Sequence, residues 1–308
     1  MILTVTLNFA LDITYELDRV EWGRTNAVRP VGRRAGGKGV NVARTLHQLG
    51  HAVTVTGLAG GTTGAVAREE LTTSGMTDAM VEVSGESRST LVVVEAGGEV
   101  TGFSEPGPEV SGLEWDGFAD DFPDLVDGAS VVVLSGSVPP GVPVDAYARL
   151  IGLAGAVGVP VVLDSHGDAL VHGVAAGPAV VAINAEELSG VLGSDEVSVV
   201  AGAERLRRHG VSAVVVSSGP DGIVCVTEEG SWRAAPPERL SGNPIGAGDA
   251  ATAALAVGLV EGRSWPERLC DAVAVSAAAV CAPLAGSFDD SVYRRLLARL
   301  EAEEIGAS

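Results

Sequence analysis

Two glycine-rich segments carry the side chains best suited to chemistry. The first is Gly36-Gly37-Lys38-Gly39-Val40-Asn41. The chain has 20 Lys and Arg residues, and Lys38 is its only lysine. A compact ammonium among glycines, where backbone can approach a ligand closely, suits a phosphate or a sugar hydroxyl and is not interchangeable with a guanidinium. The second is Asn243-Pro244-Ile245-Gly246-Ala247-Gly248-Asp249-Ala250-Ala251, which opens onto an Ala-rich helical stretch. Glycines there can turn backbone N–H groups inward at a helix N-terminus, making an anion hole that the helix dipole reinforces. Asp249 then falls in the first turn, either as a dipole-favoured acid or as a base that takes a proton from a hydroxyl beside a phosphoryl group. A third pair, Asn184-x-x-Glu187, follows a strand-like run. Its spacing suits magnesium, held directly or through water, and equally suits a helix cap with a solvated acid.

Two other motifs fail on inspection. Gly32-x4-Gly37-Lys38 nearly spells a P-loop, but Gly39 stands where a Ser or Thr should hold magnesium. Gly246-x-Gly248-x-x-Ala251 matches a loose dinucleotide fingerprint without the acid expected about 20 residues on. It would also set the Asp249 carboxylate against a pyrophosphate.

The elements that must position these residues alternate. Strand-like runs at Ile2–Leu7, Val53–Thr56, Val131–Leu134, Val159–Leu163, Val180–Ile183 and Val211–Val216 are separated by helix-period segments. The helical segments are Val40–Leu49, Thr63–Ser74, Val144–Val157 and Ala201–Arg208, with Asp249–Glu261, Pro266–Cys281 and Asp289–Glu303 closing the chain. Near-continuous apolar strands between helices predict an α/β fold, a mostly parallel sheet covered on both faces. Two regions break the rhythm. Asp12–Arg34 alternates, and Thr90–Phe103 reads as a hairpin turning at Gly97-Gly98. Together they predict a small sheet that closes as a lid over a ligand. Arg33 and Arg34 precede its glycine hinge and could add to a phosphate site or lie at the surface.

The 308 residues, 46% hydrophobic, can bury a large core. The formal net charge of −20 disfavours nucleic-acid binding and adhesion to anionic membranes, though not a small anionic ligand met by local cations. No apolar run reaches the roughly 18 residues that span a bilayer. The first residues lack a signal-peptide pattern, and Cys225, Cys270 and Cys281 show no metal spacing. A cytoplasmic protein is expected.

With Lys38, Asn184-x-x-Glu187 and Asp249 in this order, the chain resembles the PfkB carbohydrate kinases, of ribokinase-like fold. Its opening, Thr4-Val5-Thr6-Leu7-Asn8-x-x-Leu11-Asp12-Ile13-Thr14-Tyr15, looks like the 1-phosphofructokinase and tagatose-6-phosphate kinase subgroup. Gly107–Val110, Ser135–Pro139, Asp164-Ser165 and Ser217-x-Gly219-x-x-Gly222 match as well. The resemblance implies one ribokinase-like α/β domain over 1–308 with a discontinuous β lid at about 10–35 and 88–105. It implies an ATP-dependent phosphotransferase acting on a hydroxyl of a phosphorylated ketohexose. Asp249 would be the base, and the amides of Gly246, Ala247 and Gly248 the anion hole. Asp12, Gly36, Gly37, Lys38, Asn41, Arg88 and Ser137 would line the sugar-phosphate site. Asn184, Ser217, Gly219 and Gly222, with Ser276 or Ala279 near adenine, would serve the nucleotide, and Glu187 the magnesium. ATP and Mg2+ are the implied cofactors, with dependence on a monovalent cation left open, and a homodimer through the lid is implied. The chain departs from the subgroup at Phe9, where proline is usual, at Ala182-Ile183, where Lys-Pro is usual, and at Ser89-Thr90, where an asparagine is usual. A kinase of an unphosphorylated sugar or nucleoside, or a non-catalytic sugar-phosphate sensor, are the alternatives.

Overall fold

The computed structural model describes residues 1–193 and 198–306. The chain begins with β1 (Ile2–Thr6), β2 (Ala10–Leu17), β3 (Arg29–Gly36), α1 (Lys38–Gln48), β4 (Val53–Gly60), α2 (Gly61–Thr73) and β5 (Thr77–Val83). It continues through β6 (Arg88–Glu95), β7 (Val100–Ser104), α3 (Gly112–Val126), β8 (Val131–Ser135), α4 (Ala146–Ala156), β9 (Val161–Asp164) and α5 (Gly167–Ala175). Then come β10 (Val180–Asn184), α6 (Ala185–Leu192), α7 (Val199–Arg207), β11 (Ala213–Ser217), β12 (Ile223–Thr227) and β13 (Ser231–Ala234). The chain closes with α8 (Ala247–Val260), α9 (Trp265–Val280), α10 (Asp290–Leu297) and β14 (Glu303–Glu304).

The large sheet runs β14-β13-β12-β11-β10-β9-β8-β1-β4-β5. It is parallel from β5 to β11 and antiparallel over β12, β13 and β14. Alternate residues of one strand feed opposite faces, as the strand period requires. In β8, Val131 and Val133 join a core with α1, α8, α9 and α10, while Val132 and Leu134 join a core with α3, α4 and α5. Alanine-rich α8 and α9 pack closely in the first core, where small side chains let their backbones approach. The fold is therefore the α/β, ribokinase-like arrangement expected, with the parallel strands ending at the functional cleft.

A second sheet, β3-β2-β6-β7, is built from the two segments that broke the rhythm. β2 pairs antiparallel with β3 and parallel with β6, and β6 turns back into β7 through Gly98, whose φ is +87°.

The closing helix is shorter than its sequence suggests. A helix over Asp289–Glu303 is expected, but α10 ends at Leu297, and Glu303–Glu304 pair with Trp232 and Arg233 of β13. Helix-favouring residues yield there to a free sheet edge, which takes a further bond from the Ile305 amide to the Ser231 carbonyl at 2.8 Å. No helix among the described residues is long and apolar enough to cross a membrane.

Candidate active site

Both glycine segments open one cleft of about 880 Å³. Gly37 caps α1 with φ +99°; a Cβ there would lie 2.6 Å from Thr6 Cγ2, so only glycine brings α1 this close to β1. Gly246 caps α8 with φ +86°, pressed against Ala285. The Ala247 amide donates to the Pro244 carbonyl at 3.2 Å. Among the described residues the Gly246, Gly248 and Asp249 amides have no backbone acceptor, which leaves them to face the cleft as orphan donors of a helix start.

Asp249 is buried in the first turn of α8, and its Oδ2 accepts from Asn41 Nδ2 of α1 at 2.8 Å. Burial raises its pKa to about 7; the Asp164 carboxylate adds to the rise, while Lys38 and Asn41 oppose it. Lys38 Nζ donates to Asp164 Oδ1 at 2.9 Å and lies 3.5 Å from Glu187 Oε1. The Asp164 carboxylate foremost, with Asp249 and Glu187, holds its ammonium well above the usual lysine value against the cost of burial. Asp164 Oδ2 accepts in turn from Ser135 Oγ at 3.1 Å and Thr252 Oγ1 at 3.3 Å. Asp164 sits at the C-terminal end of β9, where parallel sheets gather ligands.

The lid supplies the opposite wall. Asp12 on β2 touches the position where a Gly36 Cβ would stand, so Gly36 leaves room for this carboxylate. Burial raises the Asp12 pKa, countered by Arg88, Thr90 and the Gly37 amide. Arg88 Nε donates to the Asn8 carbonyl at 3.1 Å, and the side chain lines the cleft.

Asn184 and Glu187 realise the cap reading of their spacing. They form a reciprocal capping box on α6, Asn184 Oδ1 accepting from the Glu187 amide at 2.8 Å and Glu187 Oε2 from the Asn184 amide at 2.9 Å. Both also line the cleft, and Glu187 Oε1 turns toward Lys38. Among the described residues no three His, Cys, Asp or Glu side chains converge on a metal. Glu187 Oε1, not used in the cap and open to the cleft, is the oxygen that fits magnesium, which keeps several waters and needs only one or two carboxylates beside phosphate oxygens.

Ser217, Gly219, Gly222 and Ser276 line the far end of the same cleft with Val215, Ile223 and Ala277, a slot suited to a flat base. Ala182 lines it too, with no charge to offer. Three expected residues stand off the cleft wall. Gly36 lies behind Asp12, Ser137 Oγ accepts from Asn8 Nδ2 at 3.0 Å, and Ala279 is buried in the core. Arg33 is exposed, and Arg34 turns toward the loop after α9. Sequence reasoning assigned no role to Asp164 or Thr252. The matching Asp164-Ser165 pair was the available signal, but its lysine partner lies 126 positions away.

The fold has solved counterparts. Phosphofructokinase-2 from Escherichia coli in complex with potassium is 30% identical, covering 97% of this chain and 98% of that chain, with a TM-score of 0.89. The same enzyme in complex with fructose-6-phosphate gives 30% identity, the same coverage and a TM-score of 0.85. A possible 1-phosphofructokinase from Thermotoga maritima is 27% identical over 99% of both chains, with a TM-score of 0.89. The family model for pfkB carbohydrate kinases matches residues 5–291, so the chain belongs to the pfkB family of carbohydrate kinases.

Proposed function

We propose that the chain is an ATP-dependent phosphosugar kinase. It transfers the γ-phosphate to a hydroxyl of a phosphorylated ketohexose such as fructose 1-phosphate, tagatose 6-phosphate or fructose 6-phosphate. One observation carries this reading: the buried Asp249 carboxylate, at the glycine-lined mouth of α8, is bonded to Asn41 of the other glycine segment inside the cleft that Asp12 and Arg88 also line.

In this reading Asp12 and Asn41 orient sugar hydroxyls, and Arg88 meets the sugar phosphate as a forked donor. Asp249 accepts the proton of the attacking hydroxyl. The new O–P bond forms as the bond to the β-phosphate oxygen breaks, and ADP leaves. Free amides of Gly246 and Gly248 and the Lys38 ammonium take up negative charge on the transferring group. Magnesium, when bound, neutralises charge on the ATP phosphates; Glu187 would hold it through water, beside Asn184 and Asp164. Ser217, Gly219, Gly222 and Ser276 seat the nucleoside. The lid keeps water from the transfer.

Exposed Trp22, Val28 and Phe103 on the lid segments support a homodimer formed there. Three free cysteines support a reducing, cytoplasmic setting.

A coupled assay of ADP release with the three phosphoketoses and ribose tests the reading. Activity with at least one phosphoketose is expected. Activity with ribose alone would favour an unphosphorylated acceptor, and phosphoketose binding without ADP release would favour a sensor. Exchanging potassium for a large organic cation in the same assay measures any monovalent-cation dependence.

A further inference from the structure

The loop between α9 and α10 touches both shoulders of the reacting centre. Ala285 packs against Gly246, where an added Cβ would meet the Ala285 Cβ at 2.9 Å. Gly286 packs against Asn41, the residue that holds Asp249: a Cβ on Gly286 would stand 3.0 Å from Asn41 Cα. The turn before α8 is tied to the same region, with the Asn243 amide donating to the Val280 carbonyl at 2.9 Å and Asn243 Nδ2 to the Pro283 carbonyl at 3.4 Å.

The lid grips this loop through β3. Arg34 donates through Nη2 to the Ala285 carbonyl and through Nη1 to Ser287 Oγ at 3.3 Å. Two residues earlier, Gly32 lies against Leu284, with 3.2 Å from its added Cβ to Leu284 Cδ1. Arg34 is also the cross-strand partner of Asp12, the sugar-site carboxylate. A small cavity of about 60 Å³ lies between Asp12, Arg34, Asn41, Asn243 and Ala285. Thus β3 is joined on one side to the sugar-facing strand and on the other to the loop beneath the phosphate-facing amides.

We propose that Arg34 is a positioning residue that couples the lid to the anion hole: its guanidinium clamps loop 283–287 to β3, so that a sugar held at Asp12 fixes the backbone donors at Gly246 and the Asn41–Asp249 pair. The role rests on the kinase reading above. Burial and Arg44 lower the Arg34 pKa to about 10, which leaves it charged at neutral pH. A planar fork reaches a carbonyl and a hydroxyl at once, as an ammonium cannot. In-line transfer is sensitive to displacements of about 1 Å, which can cost about 100-fold.

Steady-state kinetics and hydrogen–deuterium exchange on the full chain, parent and Arg34→Ala, test this. Arg34→Ala should lower kcat about 10- to 100-fold, with sugar and ATP KM changed far less. Methylguanidinium should restore part of kcat, and Arg34→Lys should fall between parent and Arg34→Ala. Exchange should quicken at 282–288 and 246–249 and stay unchanged at β6. The proposal is overturned if kcat and exchange are unaltered. It is also overturned if kcat and thermal stability fall and both KM values rise together without recovery by methylguanidinium. If the parent phosphorylates none of the sugars, the kinase reading fails, and exchange at those two segments alone decides on Arg34.

Discussion

At the scale of single residues, the site is a balance of four carboxylates, Asp12, Asp164, Glu187 and Asp249, and one ammonium around a single cleft. Asp249 works as a base only when ionised, and its pKa lies near 7. The value of kcat/KM should therefore climb as pH rises through about 7 and level off above it. Lys38→Met removes the ammonium that opposes this rise, while Asp164 and Asp12 remain, so the limb should move to higher pH. An unmoved or lower midpoint would show that the ammonium does not act on Asp249. The same shift affects folding. The folded carboxyl holds its proton to higher pH than the unfolded chain does, so this group favours the fold less as pH rises from about 4 to about 7. Asp249→Asn should gain melting temperature over the parent across that window. Local reading of the sequence reached Lys38 and Asp249 because each sits in a glycine-rich run with few structural explanations. It assigned no role to Asp164 because a strand-end aspartate is common, and its meaning comes from Lys38, Ser135 and Thr252, all distant in sequence.

At the scale of elements, caps and hinges do double duty. Glu187→Gln can preserve the capping box, since glutamine also reaches back to the cap amide. It removes the charge that faces Lys38. Thermal stability should hold, while the magnesium concentration for half-maximal rate should rise about tenfold. A loss of stability with unchanged magnesium response would assign Glu187 to the cap alone. Gly36→Ala sets a methyl against the Asp12 carboxyl and should raise the sugar KM while leaving the ATP KM near its parent value. An ATP effect of equal size would mean that the hinge moves as a whole. Most elements were legible because their periods are clean: β8 and β11 are apolar runs, and the Gly97-Gly98 hairpin forms where its turn residues place it. The end of α10 was not, because residues 298–304 favour helix locally and are overruled by the edge of β13. The Asn184–Glu187 spacing left cap and cation site open in the sequence, since both need the same residue types three positions apart; the structure forms the cap.

At the scale of the whole molecule, a chain of net charge −20 places Lys38 and Arg88 on one cleft shared by sheet and lid, with Arg34 beside the small cavity behind it. The lid's outward residues give a separate test. Trp22→Asp with Phe103→Glu should turn a dimer into a monomer in light scattering, and an unchanged mass would place any dimer contact elsewhere. The central claim is that residues 208 positions apart, Asn41 and Asp249, meet so that a carboxylate can deprotonate a sugar hydroxyl beside phosphate-binding amides. The most direct measurement is kcat of Asp249→Asn with the preferred phosphoketose and saturating ATP. The account predicts a fall of about 10²- to 10⁴-fold with both substrates still bound near their parent affinities. Turnover within about threefold of the parent would contradict it, because deleting a true general base costs far more.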